Sequence, residues 1–106
     1  MRFQSGYTMK VKFQPRQLVH ASEMLKALAH PVRLAIFEHL SEHGSCRVSQ
    51  IQEVFKLEQA VVSQQLSILK SKDVLVCERE GKNSVYSLKY PCLSAILDCL
   101  NQCKGE

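Results

Sequence analysis

A mainly α-helical domain carrying one small β-hairpin is the fold that this 106-residue sequence predicts. Apolar residues recur at three- and four-residue spacing in successive stretches between Pro15 and Lys72. That spacing places them on one face of a helix. The period then changes to a β-rich run, a glycine turn and a second β-rich run, and helical spacing returns after Pro91.

Residues 1–14 show no clear period and are expected to be an N-terminal arm, leaving 15–106 as the domain. Pro15 suits the first turn of a helix, where its missing N–H has no partner to lose. Leu18, Ala21, Leu25 and Leu28 follow, with Val19 and Met24 beside them. Pro31 disfavours helical geometry at the residue before it, so this helix should end near Ala29–His30. Pro31 then opens a second helix through Val32, Ile36 and Leu40 with Phe37 alongside, and Gly44 is a plausible stop. A shorter third helix carries Val48, Ile51 and Phe55, with Ser45 or Ser49 expected to cap its start.

After Lys56-Leu57-Glu58, a fourth helix runs from about Gln59 to Lys72, with Val62, Leu66 and Leu69 inward. Val74–Cys77 and Ser84–Leu88 read as strands about the turn Glu80-Gly81-Lys82-Asn83. Pro91 reopens helix with Leu93, Ile96, Leu97 and Leu100 at i, i+3, i+4 and i+7. Two short helices joined tightly and followed by a hairpin form a winged helix-turn-helix.

Composition narrows the class of function. A hydrophobic fraction of 45% excludes a disordered tail. The net charge of +4 permits a polyanionic partner without demanding one. No apolar run approaches bilayer length and the N-terminus lacks a signal-peptide pattern, so no membrane partner is expected and the location should be cytoplasmic. Five cysteines, an odd number without a secretory signal, are expected to be reduced thiols. No phosphate-cradling glycine loop, complete metal motif or nucleophile–base spacing is present, so an enzyme fits poorly.

In a helix-turn-helix the second helix lies in the DNA major groove. Here that helix offers Gln59, Ala60, Ser63, Gln64 and Ser67 opposite its apolar residues. Gln pairs with adenine through two bonds, Ser both donates and accepts, and Ala leaves room for a thymine methyl. Arg79, Lys82 and Asn83 around Gly81, with Lys70, Lys72 and Arg47, are candidate phosphate or minor-groove contacts. A solvated polar face and charges that serve only solubility are the competing readings. Glu78 and Glu80 dilute the basic patch.

Residues Leu25 to Ile36, LKALAHPVRLAI, resemble the LKALAHPxRLxIL signature of the ArsR/SmtB family of bacterial repressors. Glu58 to Leu69 is similar to that family's recognition helix, and Arg79-Glu80-Gly81-Lys82 with Tyr86-Ser87-Leu88 to its wing. The similarity spans about Leu18 to Leu100. It implies a homodimer paired through the first and last helices, with each subunit reading half of an inverted-repeat operator in double-stranded DNA. It also implies a repressor released from DNA by an effector. Gln59, Ser63, Gln64 and Gln65 match the family's recognition positions, though many members carry His where Gln64 and Gln65 stand. Leu18, Leu25, Leu93, Ile96, Leu97 and Leu100 are the expected dimer interface. The stripe on the last helix suits burial against a second copy, or else it caps the chain's own core.

Cys92, Cys99 and Cys103 would lie within about 20° of one line on a straight helix. Cys99 and Cys103, one turn apart and about 6 Å between side chains, are spaced to bridge arsenite, a soft metal ion or a persulfide. Cys92 would lie about 10 Å further along a straight helix, so one ion reaches all three thiols only if the helix starts late or the partner chain contributes a ligand. Cys46 matches one thiol of the family's Cys-x-Cys metal pair, slightly out of register, and Cys77 reads as core. Asp98 has no His beside it to complete another family site. His20, His30, His39 and His43 do not make a convincing ligand cluster, and His30 belongs to the signature motif. Small buried thiols remain the alternative for these cysteines. Three readings of function result: a repressor with a thiol-based sensor, a repressor without a small-molecule effector, and a winged helix used only for protein interaction.

Overall fold

The computed structural model describes residues 14–103. The expected arm, apart from Gln14, lies outside them. Five α-helices and three short strands follow in the order α1 (Pro15–Leu28), α2 (Pro31–His43), β1 (Cys46–Arg47), α3 (Val48–Phe55), α4 (Gln59–Ser71), β2 (Leu75–Glu80), β3 (Asn83–Leu88) and α5 (Ser94–Gln102). A 3₁₀ turn at Pro91–Leu93 leads into α5. The winged helix-turn-helix read from the sequence is the fold observed.

The sequence from Leu25 to Ile36 builds the α1–α2 corner. Lys26 is in the last turn of α1, and the Ala29 N–H closes that helix on Leu25 and Lys26 carbonyls. His30 is the N-cap of α2, its Nδ1 accepting from the Val32 N–H at 3.2 Å. Pro31 occupies the first helical position, where no donor is lost. Arg33 donates from Nε to the Ala27 carbonyl and from Nη1 to Gln65 Oε1 at 3.0 Å, tying α2 to both α1 and α4. Gly44 at φ +79 ends α2, a conformation that costs glycine little.

The core forms where these helices and the sheet meet. Ile36, Phe37, Leu40, Ile51, Val62, Leu66, Leu69, Val74 and Leu75 are fully buried. They come from α2, α3 and α4, on the faces that the helical spacing assigned inward, and from Val74 and Leu75 where the chain enters β2. The sheet order is β1-β3-β2, antiparallel throughout. Glu80 pairs with Asn83 across the two-residue loop Gly81-Lys82, with Gly81 at φ +63. A tight hairpin demands such a positive φ.

Two expectations are corrected and one element was missed. Neither Ser45 nor Ser49 caps α3. Its N-cap is Arg47, whose N–H donates to Gln50 Oε1 at 2.8 Å. Strand β1, pairing Cys46 with Tyr86 and Arg47 with Val85, was not legible, because two residues carry no period. The last helix starts at Ser94 rather than at Pro91, and Cys103 is its C-cap with φ −91 and ψ 73. Of the three late cysteines only Cys99 is therefore inside α5, and the straight-helix alignment does not hold. No helix among the described residues is long and apolar enough to cross a membrane.

Candidate nucleic-acid interface

α3 and α4 form the helix-turn-helix. Lys56 makes the tight link by adopting a left-handed conformation (φ +57), with its N–H on the Gln52 carbonyl. Val62, Leu66 and Leu69 anchor α4 in the core at zero exposure. The periodicity of the helix then forces the opposite face outward. Gln59, Ala60, Ser63, Gln64, Ser67 and Lys70 are all exposed. Gln65 is not among them, because it is half-buried and accepts the hydrogen bond from Arg33. That places it as a brace between α2 and α4.

A polar cleft of about 260 Å³ lies between the start of α3, the start of α4 and the wing. Arg47, Gln59, Lys82 and Asn83, four residues singled out from sequence, line it together. Val48, Ser49, Gln52 and Ser84 complete it and were missed. Ser49 and Gln52 are spaced three apart on α3, a signal that points to one helix face but not to what that face meets. Arg79 is exposed on the wing but does not line the cleft. Lys70 lies eleven residues along α4 from Gln59, about 16 Å up the helix axis.

The charges fall into two sets. Lys72 and Lys26 pair with Glu23 at 2.8 and 3.5 Å, and Lys89 and His20 pair with Asp73 at 3.0 and 2.9 Å. Hydrogen bonding and attraction from Lys72 hold the Glu23 carboxyl below the usual carboxylate range. Lys89 and then His20 do the same for Asp73, and Asp73 in turn raises the Lys89 ammonium. Arg47, Lys70, Arg79 and Lys82 have no carboxylate partner among the described residues. These four exposed cations stand around the outward face of α4 and the wing, interspersed with the exposed Glu58, Glu78 and Glu80.

The cysteines separate equally clearly. Cys46 is 5% exposed and belongs to the core, and burial pushes its thiol pKa up. A thiol held protonated and covered is a poor ligand or nucleophile, which removes Cys46 from the candidate effector set. Cys77 is half-buried rather than core, opposite Tyr86 on the sheet. Burial and the Cys77 neighbour raise the Tyr86 hydroxyl pKa. Cys92, Cys99 and Cys103 are exposed, and the Cys103 thiol lies 3.7 Å from the Cys99 carbonyl. No group of three or more His, Cys, Asp or Glu residues converges among the described residues.

Among their polar residues, α1 and α5 also leave large apolar side chains exposed. Val19, Leu25 and Leu100 are 62%, 52% and 53% exposed. A groove of about 180 Å³ runs between α1, α2 and α5, lined by Leu25, Leu28, Ala29, Leu34, Phe37, Ile96, Leu97 and Leu100. Leu93 and Leu97 pack against the chain's own core, and Leu18 is half-buried. Within the expected interface set, Leu25 and Leu100 therefore present most of the uncovered apolar surface, and Val19 joins them.

Comparison with known proteins agrees with this architecture. Residues 28–78 match the model of a helix-turn-helix domain family. The chain is 38% identical over 90 residues to the transcriptional repressor PagR of Bacillus anthracis, covering 85% of this chain and 90% of PagR. The crystal structure of PagR superposes with a TM-score of 0.75 at 37% identity, covering 82% of this chain and 99% of that one. The transcriptional repressor SmtB of Mycobacterium tuberculosis is 41% identical over 75 residues, which is 70% of this chain and 55% of SmtB. A homodimeric winged helix-turn-helix DNA-binding domain from Mycobacterium bovis shares the fold at 22% identity, with a TM-score of 0.74 and coverage of 90% and 87%.

Proposed function

The chain belongs to the ArsR/SmtB family of winged helix-turn-helix transcriptional regulators, and from that premise we propose that it is a homodimeric, sequence-specific repressor of an inverted-repeat operator, acting in the cytoplasm and released from DNA by a thiol-reactive effector. One observation carries the DNA-reading part. The polar face of α4 is fully outward while Arg47, Gln59, Lys82 and Asn83 converge beside it, and the two cations among them lack acidic partners among the described residues. Phosphate contacts from Arg47 and Lys82 set the register of α4, and Gln59, Ser63, Gln64 and Ala60 then meet base edges. Arg79, Lys70 and Ser67 extend the contact along the backbone. An interaction module would instead need apolar side chains outward on α4, where Val62, Leu66 and Leu69 are wholly buried.

The exposed apolar strip on α1 and α5 supports pairing with a second copy, in which Leu25, Leu100 and Val19 leave water. Exposure and proximity support Cys99 and Cys103 as the sensing thiols. Cys99 is in the last part of α5 and Cys103 is its C-cap, with the Cys103 thiol 3.7 Å from the Cys99 carbonyl, and their thiolates suit arsenite, a soft metal ion or reactive sulfur. Cys92 stands apart in the 3₁₀ turn and is a secondary candidate.

The reading of α4 is tested by binding cognate and random duplexes to the Ser63→Ala, Gln64→Ala double variant. Discrimination should fall by about 1–3 kcal/mol per lost base contact. Undiminished discrimination would mean that α4 does not read the bases. The sensor is tested by titrating the DNA complex with arsenite, cadmium and a persulfide donor. Release should disappear in Cys99→Ser and in Cys103→Ser, and release that survives both removes these thiols from the mechanism.

A further inference from the structure

Ala27 lies in the last turn of α1, where backbone carbonyls find no partner within the helix. Four residues on stands Pro31, which has no N–H to offer. Neighbouring carbonyls are provided for. The Ala29 N–H serves those of Leu25 and Lys26, and the His30 N–H donates to that of Leu28 at 2.8 Å. Ala27 is 4% exposed, so its carbonyl needs a partner from the protein. Arg33, two residues past the proline, supplies it through Nε. From the same guanidinium, Nη1 donates to Gln65 Oε1 at 3.0 Å, in the middle of α4. Arg33 is half-buried and has no carboxylate partner among the described residues. Its charge is met by these two acceptors and by the negative end of the α1 dipole.

We propose that Arg33 is a positioning residue for DNA reading: by joining Ala27 to Gln65 it fixes the orientation of α4 relative to the α1 flank, and with it the half-site spacing that the dimer accepts. This role presupposes the dimer and the reading helix of the proposed function.

The surroundings of the two acceptors give the link its consequence. Beside Ala27, Leu25 and Leu28 line the apolar groove of the pairing flank. Beside Gln65, Gln64 is exposed on the reading face and Leu66 is buried in the core. One group therefore spans from the pairing flank to the reading helix. A guanidinium is planar and holds its donors in fixed directions, so neither acceptor can shift alone without losing its bond. Burial of Val62, Leu66 and Leu69 holds α4 on the core, but apolar attraction is not directional. The hydrogen bond adds the direction. In a dimer the separation of the two reading helices runs through two such links and the flank between them. Half-sites on one face of the duplex are read together only when that separation is fixed. Gln65 thus acts from behind α4 and not on a base.

The experiment selects the preferred duplex from a random pool with the full chain, then inserts or deletes one base pair between its half-sites. Affinity and Tm are measured for the parent, Gln65→Leu, Arg33→Met, their double variant and Gln65→Glu. The parent should lose about tenfold or more in affinity when the spacing changes. Gln65→Leu and Arg33→Met should bind the selected duplex more weakly and distinguish the spacings by about threefold or less, and the double variant should add little to either, as residues in one link are not additive. Gln65→Glu keeps the acceptor oxygen and gains an ion pair with Arg33, so it should retain the parent's spacing preference. Gln65→Leu leaves the Arg33–Ala27 bond in place, and so decides the matter even if Arg33→Met loosens the α1–α2 corner. A variant that is merely less stable loses affinity for every duplex alike and keeps the spacing ratio, and that result in Gln65→Leu overturns the proposal. So does a Gln65→Glu that relaxes the preference at one base pair with spacing preference intact, since Gln65 is then a base reader. Both results leave DNA reading by α4 standing, whereas a parent that selects no duplex overturns that reading and the positioning role with it.

Discussion

The face made by α4 and the hairpin and the flank made by α1 and α5 leave opposite things uncovered. On the first, Gln59, Ser63, Gln64 and Ser67 are outward and Arg47, Lys70, Arg79 and Lys82 lack acidic partners among the described residues. On the second, Val19, Leu25 and Leu100 expose hydrocarbon. Where α1 meets the end of α4, by contrast, Glu23 and Asp73 neutralise Lys72 and Lys89 internally. Each kind of surface calls for its own complement. Unpaired cations beside hydrogen-bonding side chains suit a polyanion with readable edges, and an apolar strip suits a matching strip on a second copy. A surface that pairs its own charges needs no partner.

The largest effect should come from charging the apolar flank. Leu25→Glu with Leu100→Glu is expected to give a monomer in sedimentation velocity. Operator affinity should fall about a hundredfold or more, because two half-sites are then no longer bound as one event. A double variant that remains dimeric would place the interface elsewhere.

A smaller change should follow Arg47→Ala with Lys82→Ala. The slope of log affinity against log salt should lessen by about 2, roughly one for each lost phosphate contact. Fluorescence anisotropy across a salt series measures it, and an unchanged slope would show that the cleft does not meet the backbone.

The smallest effect belongs to the self-neutralised region. Glu23 and Asp73 have carboxyl pKa values lowered by their cationic partners, so their stabilisation is complete above the ordinary carboxylate range. It is lost as pH falls through the lowered native values. Lys89 is raised by Asp73, so its share is complete below the ordinary lysine range and lost as pH rises through its native value. The Tm of Asp73→Asn should therefore depend less on pH at both extremes than that of the parent. Both carboxylates are solvent-exposed, so the difference is small and salt-sensitive. Parallel Tm profiles would show that these pairs are stability-neutral.

Helix positions were legible because spacing, prolines and glycines act locally. Pro15, Pro31 and Gly44 mark helix ends where expected, and Val62, Leu66 and Leu69 point inward as their spacing requires. The outward face of α4 follows from the same periodicity. What spacing does not supply is which faces meet. Gln65 looks like a neighbour of Gln64 in the chain, but its partner Arg33 comes from thirty-two residues earlier. Cys46 and Cys99 look alike as letters, and only the packing of β1 beneath the helices makes one inert while the other stays open.

Local pattern alone thus determined the order of the helices and the hairpin, the inward face of each of α2, α3 and α4 and the candidate reading helix, since backbone sterics and amphipathic spacing act over a few residues. Tertiary structure decided the rest: the cleft that gathers Arg47, Gln59, Lys82 and Asn83, the late start of α5, and the stacking of His39 on His43 against Phe55. Those arrangements depend on contacts between distant segments, and their geometry exists only once the core has brought the segments together.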